Sequence, residues 1–266
     1  LTVVLETQAL TRQFNGRSAV DELTITVESG DIFALLGPNG AGKTTTIKML
    51  TTLLPPTSGS ARVAGFDIVR QAGDVRRTIG YVPQLISADG MLTGYENLLV
   101  FSKLYDIRRR ERQTRIQEAL GFMGLSDAAN RLVNQYSGGM IRRLEIAQSM
   151  LHQPRVLFLD EPTGGLDPIA RRAVWEHLLQ LRGSNGRTVI FTTHLMEEAD
   201  AFCSRVAIMH RGKVVANDTP ATLKASIEKP GATLDDVFVR YAGDTLEEGV
   251  SFRETTRTRR TARRLG

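Results

Sequence analysis

The segment GPNGAGKTT, Gly37 to Thr45, has glycines at positions 37, 40 and 42 and a lysine followed by two threonines. It matches the spacing G-x-x-x-x-G-K-[ST]. Gly37, Gly40 and Gly42 let the backbone turn and approach closely, aiming N–H groups at a β-phosphate. Pro38, Asn39, Ala41 and Thr45 fill the other positions of the loop and count with its phosphate-binding residues. Lys43 sets a point charge against β/γ oxygens, and Thr44 offers a hydroxyl to Mg²⁺. The chemistry implied is capture of a nucleoside triphosphate with its magnesium.

A second cluster follows far along the chain. RVLFLDEP places Asp160 at the C-terminal end of an apolar run, where open α/β sheets put their ligands. From there Asp160 can hold Mg²⁺ through water. Glu161 comes next and points the other way if the strand continues. A second carboxylate beside a metal-nucleotide site is a candidate general base for an attacking water. His194 ends the run RTVIFTT in the same layer, within reach of a γ-phosphate. A lone histidine is more often structural, and His152, His177 and His210 are read that way. Gln84 ends TIGYVPQ, where its amide can touch Mg²⁺ or the water. Ser137, Gly138 and Gly139 open a helical pattern, and such a mouth is a second anion site.

These residues need elements to position them. TVVLETQALTRQF reads as a strand that turns at Asn15-Gly16, LTITVES as a second strand, and DIFALLG as a buried central one. A helix is expected from Gly42 to about Leu54, stopped by Pro55-Pro56. SARVAG and TIGYVPQ are further strands. Between Thr93 and Met150 strand-like runs vanish and three helical patterns take over, TGYENLLVFSKLYD, RRERQTRIQEALGFMG and GMIRRLEIAQSML. Strands then alternate with helices: RVLFLD, PIARRAVWEHLLQLR, RTVIFTT, LMEEADAFC, RVAIMH and KVVAND. Such alternation predicts a largely parallel α/β core. ATLKASI and TLDDVFVRYAG are short helical patterns, the latter with Leu234, Val237, Phe238 and Tyr241 on one face.

Composition sets the bounds. The 266 residues are 24% charged and 41% hydrophobic, ordinary for a globular chain, and the formal net charge is +5. The excess of positive charge gathers in FRETTRTRRTARRLG, whose one acid is Glu254. That stretch reads as a disordered basic tail. The remainder is near neutral, so nucleic acid is not an expected partner. No apolar run approaches the ~18 residues a membrane helix needs. The single cysteine, Cys203, excludes an internal disulfide and fits a reducing cytosol.

The phosphate loop, YVPQ, YSGGM, LFLDEPTGGLD and TTH occur in the order of ATP-binding-cassette ATPases, and the chain resembles that family from about residue 3 to residue 220. The resemblance implies an α/β P-loop NTPase core of mostly parallel sheet, an antiparallel β subdomain and a helical subdomain at about 93–150. A short helical extension at 221–243 and the tail at 244–266 would follow. It implies two such subunits paired head to tail, simplest as a homodimer, with Ser137, Gly138 and Gly139 of each facing the ATP in the other's phosphate loop. Phe14 resembles the aromatic that stacks on adenine, its alternative being a core phenylalanine. Gln84 resembles the glutamine that senses a transmembrane partner and Asp167 the aspartate that communicates between sites. Glu161 looks like the catalytic base and His194 like the switch histidine. Tyr136 and Met140 stand where Leu and Gln are usual, and Gly164-Gly165 where Ser-Ala is common, neither of which reads as inactivating. YSGGMIRRLEIA with TLDDVFVRYAG looks closest to the daunorubicin/doxorubicin-resistance type. That type implies ATP hydrolysis powering bacterial drug export through a separate permease, with the ATPase on the cytoplasmic face of the membrane. Export of lipid, polysaccharide or sodium is the alternative within transport, and a soluble ATPase of translation or DNA repair the alternative outside it.

Overall fold

A computed structural model describes residues 2–243. The tail expected at 244–266 lies outside the described residues. β1 (Val3–Phe14) turns through Asn15 and Gly16 into β2 (Arg17–Leu23). Both turn residues have positive φ, 48° and 77°, the hairpin geometry whose twist matches the flanking strands. The sequence reading missed β2, a polar strand whose alternation is broken by register shifts against β1. β3 (Thr26–Glu28) also pairs with β1, and β4 (Ile32–Leu36) runs into the phosphate loop and α1 (Lys43–Leu50). β5 (Ser58–Val63) and β6 (Phe66–Asp67) return to the antiparallel sheet, ordered β2-β1-β5-β6 with β3 beside β1.

α1 stops four residues before the expected Leu54. Thr52 takes φ 64°, and the Leu53 and Thr52 N–H groups bond back to Lys48 and Met49 carbonyls at 2.9 and 3.0 Å. This is a Schellman ending without the glycine that usually marks it. α2 (Ala72–Thr78) was also unread, because it buries only Val75 and so shows no periodicity.

β7 (Ile79–Val82) leads to a loop and then to α3 (Gly94–Leu104), α4 (Arg109–Phe122) and α5 (Gly138–Met150). The alternating half holds β8 (Val156–Asp160), α6 (Pro168–Asn185), β9 (Thr188–Thr193), α7 (Met196–Phe202), β10 (Arg205–His210) and β11 (Lys213–Asp218). α8 (Pro220–Ala225) and α9 (Leu234–Ala242) end the described chain. The second sheet runs β11-β10-β4-β9-β8-β7, all parallel except β11.

Its inner strands β4, β8 and β9 are buried on both faces, as a covered parallel sheet requires. Ile32, Ala34, Leu36, Leu157, Leu159, Val189 and Phe191 face one way, into a core with α3–α9. Phe33, Leu35, Val156, Phe158 and Ile190 face the other, into a core with α1 and the antiparallel sheet. Trp175 of α6 anchors the first core, stacked on Phe202 at 4.4 Å and edge-on to Phe191 at 4.8 Å. In α9, Leu234, Val237 and Phe238 are buried as expected. Tyr241 is not: it is 43% exposed at the helix end, with its hydroxyl 3.2 Å from Ser226 Oγ. Among the described residues no helix is long and apolar enough to cross a membrane.

Candidate functional site

Parallel strands end together, so β4, β8 and β9 bring the phosphate loop, Asp160-Glu161 and His194 to one edge. Between β4 and α1 the loop doubles back on itself. Gly42 has φ 104°, and a side chain there would strike the carbonyl of Ala19. Only glycine fits both demands. Lys43 then starts α1 with its ammonium folded back, donating to the Gly37 and Pro38 carbonyls at 2.8 and 3.1 Å. It lies 3.6 Å from Glu161 Oε1 and is 5% exposed. Burial lowers its pKa, and the negative charges of Glu161 and Asp160 oppose that shift.

Asp160 closes β8 and is buried. Its Oδ1 accepts from Thr44 Oγ1 at 3.1 Å and Thr192 Oγ1 at 2.6 Å. The carboxylate is thus held against the hydroxyl predicted from sequence as a magnesium ligand. Its charge and burial together push the nearby Tyr81 phenol up to about 12, burial being the larger cause.

β8 does not continue through Glu161. That residue takes φ 48°, and its N–H donates to Thr192 Oγ1 at 2.9 Å. A left-handed turn at a non-glycine residue is strained. Here it swings Glu161 into the same cleft as Lys43 instead of to the opposite face. Glu161 Oε2 accepts from Gln84 Nε2 at 3.3 Å, and Oε1 is 3.4 Å from His194 Nδ1. Lys43, Gln84 and His194 therefore surround one carboxylate.

Phe14, Ala19, Asn39, Gly40, Lys43 and Thr45 line a cleft of about 490 Å³ with Gln84 and Glu161 at its far side. Phe14 is 44% exposed, which removes the core reading; Arg12 covers its ring at 4.7 Å. The backbone cradle, the buried ammonium and the Thr44–Asp160 pair fit a triphosphate with a divalent cation. Among the described residues no three His, Cys, Asp or Glu side chains could hold a metal together.

Two predicted residue sets lie apart from this cleft. Ser137 caps α5, accepting from Met140 N at 3.3 Å, and is exposed with Gly138. Gly139 is buried so close to Ala170 that a Cβ would sit 2.7 Å from its side chain. Asp167 caps α6, with Oδ1 accepting from Ile169 and Ala170 N–H groups at 2.9 and 3.0 Å. The Tyr136 substitution is also explained: the ring is buried and its hydroxyl donates to Ala128 O at 2.7 Å.

Residues 20–164 match the family model described as ABC transporter. The chain belongs to the ABC transporter family. It is 45% identical over 226 residues to the daunorubicin/doxorubicin resistance ATP-binding protein DrrA of Streptomyces peucetius, covering 85% of this chain and 68% of that one. It is 41% identical over 248 residues to the probable multidrug ABC transporter ATP-binding protein YbhF of Escherichia coli, covering 92% of this chain but only 43% of YbhF. Among solved structures it superposes with TM-score 0.72 and 26% identity on the dimeric post-hydrolysis state of the ATP-binding cassette MJ0796 bound to ADP and Pi, over 81% of this chain and 98% of that one.

In this ABC transporter chain the sequence reading missed several polar residues around the site. Thr192 ties Asp160 to Glu161. Glu198, buried on α7, accepts from Thr163 Oγ1 at 2.5 Å and Thr193 Oγ1 at 3.1 Å. It joins the turn after Glu161 to the strand end before His194. Arg142 and Glu145 are buried on α5. The signal for these was charge at positions whose neighbours, such as Leu144 and Ile146, are apolar.

Proposed function

We propose that this chain is the ATP-binding and hydrolysing subunit of a bacterial exporter that drives efflux of a drug-like compound through a separate permease. The carrying observation is Glu161, held among Lys43, Gln84 and His194 at the rim of the phosphate-loop cleft. A carboxylate so placed is poised to take a proton from a water attacking the γ-phosphate. The loop amides and Lys43 bind the phosphates, and an incoming γ-phosphate competes with the Gly37 and Pro38 carbonyls for the ammonium. Thr44 and Asp160 would hold magnesium, which neutralises charge developing on the phosphate oxygens. Phe14 offers an exposed ring for adenine, and His194 orients Glu161.

Two copies pair head to tail, each presenting Ser137, Gly138 and Gly139 to the other's nucleotide. The exposure of Ser137 and Gly138 away from their own cleft supports this reading, as does the dimeric relative. Asp167, on the same side as Gly139 and Ala170, carries the state of one site to the other. The permease contact falls on the loop after Gln84 and on α3, where Leu85, Ile86, Met91 and Leu104 are all exposed. Apolar residues of that size gathered near one element suit a protein partner. The subunit then works from the cytoplasmic face of the membrane. Drug export is favoured by the similarity to DrrA, a daunorubicin/doxorubicin resistance protein, and YbhF, a probable multidrug transporter protein.

The test is a pull-down with tagged Glu161→Gln protein and ATP–Mg²⁺ from solubilised native membranes. A polytopic membrane protein in the eluate is expected. Ribosomal or DNA-repair proteins, with no membrane partner, would overturn the exporter reading.

A further inference from the structure

α5 carries a buried polar stripe behind its exposed Ser137-Gly138 mouth. Arg142, Glu145 and Gln148 recur every third residue and are 6%, 2% and 1% exposed. All three work on the loop that bears Gln84. Arg142 donates to the carbonyls of Pro83 and Gln84 at 2.8 and 3.0 Å. Glu145 Oε1 accepts from Ser87 N at 2.5 Å, Ser87 Oγ at 3.0 Å and Ala88 N at 3.4 Å. Its other oxygen pairs with Arg142 Nη1 at 3.0 Å. Gln148 donates to Asn97 Oδ1 at 3.2 Å, and Asn97 in turn holds the Asp89 backbone through bonds of 2.9 Å each way. One helix face thus grips the loop at its start, middle and end.

The loop itself is exposed from Gln84 to Ser87, and its apolar side chains point to solvent. Its fixed position comes from backbone bonds to buried charged groups, which are shorter and stronger than neutral ones. The same α5 begins at Ser137, whose hydroxyl caps it. A helix of 13 residues is stiff over this length, so displacing one end displaces the other.

We propose that Arg142, Glu145 and Gln148 are positioning residues that hold the loop bearing Gln84 against α5 and so set where Gln84 meets Glu161. This rests on the ATPase reading above.

The experiment compares full-length wild type with Glu145→Ala and Glu145→Gln. Alanine is a strong helix former, so α5 itself is not weakened at that position. Amide hydrogen exchange at Ser87 and Ala88 should accelerate in Glu145→Ala. The kcat for ATP–Mg²⁺ should fall on the order of ten- to a hundredfold, the effect of misplacing a group by about 1 Å, with KM nearly unchanged. Glu145→Gln keeps an acceptor for Ser87 and should recover most of both. If Glu145→Ala does not fold, Arg142→Lys replaces it. Lysine cannot hold two carbonyls in a fixed fork, so the same split is expected in weaker form. Unchanged exchange at Ser87 and Ala88 would overturn the proposal. So would lost protection with kcat intact, or a kcat loss equal in the Ala and Gln variants. A wild type without ATP turnover would overturn the ATPase reading instead, leaving exchange to decide the hold on the loop.

Discussion

Glu161 owes its place in the cleft to one backbone torsion and three neighbours. With φ at 48°, its carboxylate meets Lys43, Gln84 and His194 rather than the far face of the sheet. Glu161→Gln preserves shape and the acceptor for Gln84 but cannot take a proton. Steady-state phosphate release should therefore fall by about 10²–10⁴-fold, while ATP binding by equilibrium titration stays near wild type. Equal loss of binding would assign Glu161 to the cradle instead. Tyr81 gives a second residue-level expectation. Its phenol rises from the ordinary value of 10.0 to about 12 in the folded chain. Its contribution is fully present below pH 10 and is lost as pH climbs through about 12, because the unfolded chain releases that proton first. Tyr81→Phe should flatten the fall of the urea midpoint over that alkaline window.

At the scale of elements, helix starts set both stability and the site. α3 opens with a reciprocal box: Thr93 Oγ1 accepts from Glu96 N at 3.1 Å, and Glu96 Oε2 accepts from Thr93 N at 2.8 Å. Thr93→Ala should cost about 1 kcal/mol in urea unfolding and leave ATP turnover unchanged. α1 opens differently, with no side-chain cap and with Gly42 in the left-handed region. Gly42→Ala must strain that turn and displace the Ala19 carbonyl. Nucleotide binding should be lost in titration calorimetry, with a destabilisation of at least about 1 kcal/mol. Retained affinity in that variant would mean that the loop tolerates another path.

At the scale of the whole molecule, the proposed head-to-tail pairing sets the cleft of one copy against the Ser-Gly-Gly helix mouth of another. The prediction is complementation between two dead variants. Lys43→Ala destroys the cradle. Gly138→Asp sets a charge against phosphate, and a Cβ there meets only Leu166 at an ordinary 3.5 Å. In a mixed dimer one of the two composite sites is intact. Equal mixing gives about half mixed dimers, hence about a quarter of wild-type activity for independent sites in a two-fold assembly. No recovery at any ratio would sink the head-to-tail arrangement.

What was legible in the sequence is what local backbone chemistry dictates. The phosphate loop was readable because left-handed turns and close approaches demand glycine at set spacings. The Asn15-Gly16 turn was readable for the same reason, though not the strand that follows it, and the central strands because burial on both faces makes them continuously apolar. The end of α1 was not, since Thr52 stands in a conformation that marks no residue type. Only the tertiary structure decided where Glu161 points, that Phe14 is exposed, and that Arg142, Glu145 and Gln148 hold the Gln84 loop. These depend on partners distant in the chain, as in Arg142 to Gln84, 58 residues apart, and Gln84 to Glu161, 77 apart. A local pattern fixes which side chains a chain carries; which of them meet is set by strands ending at one sheet edge and helices packing across it.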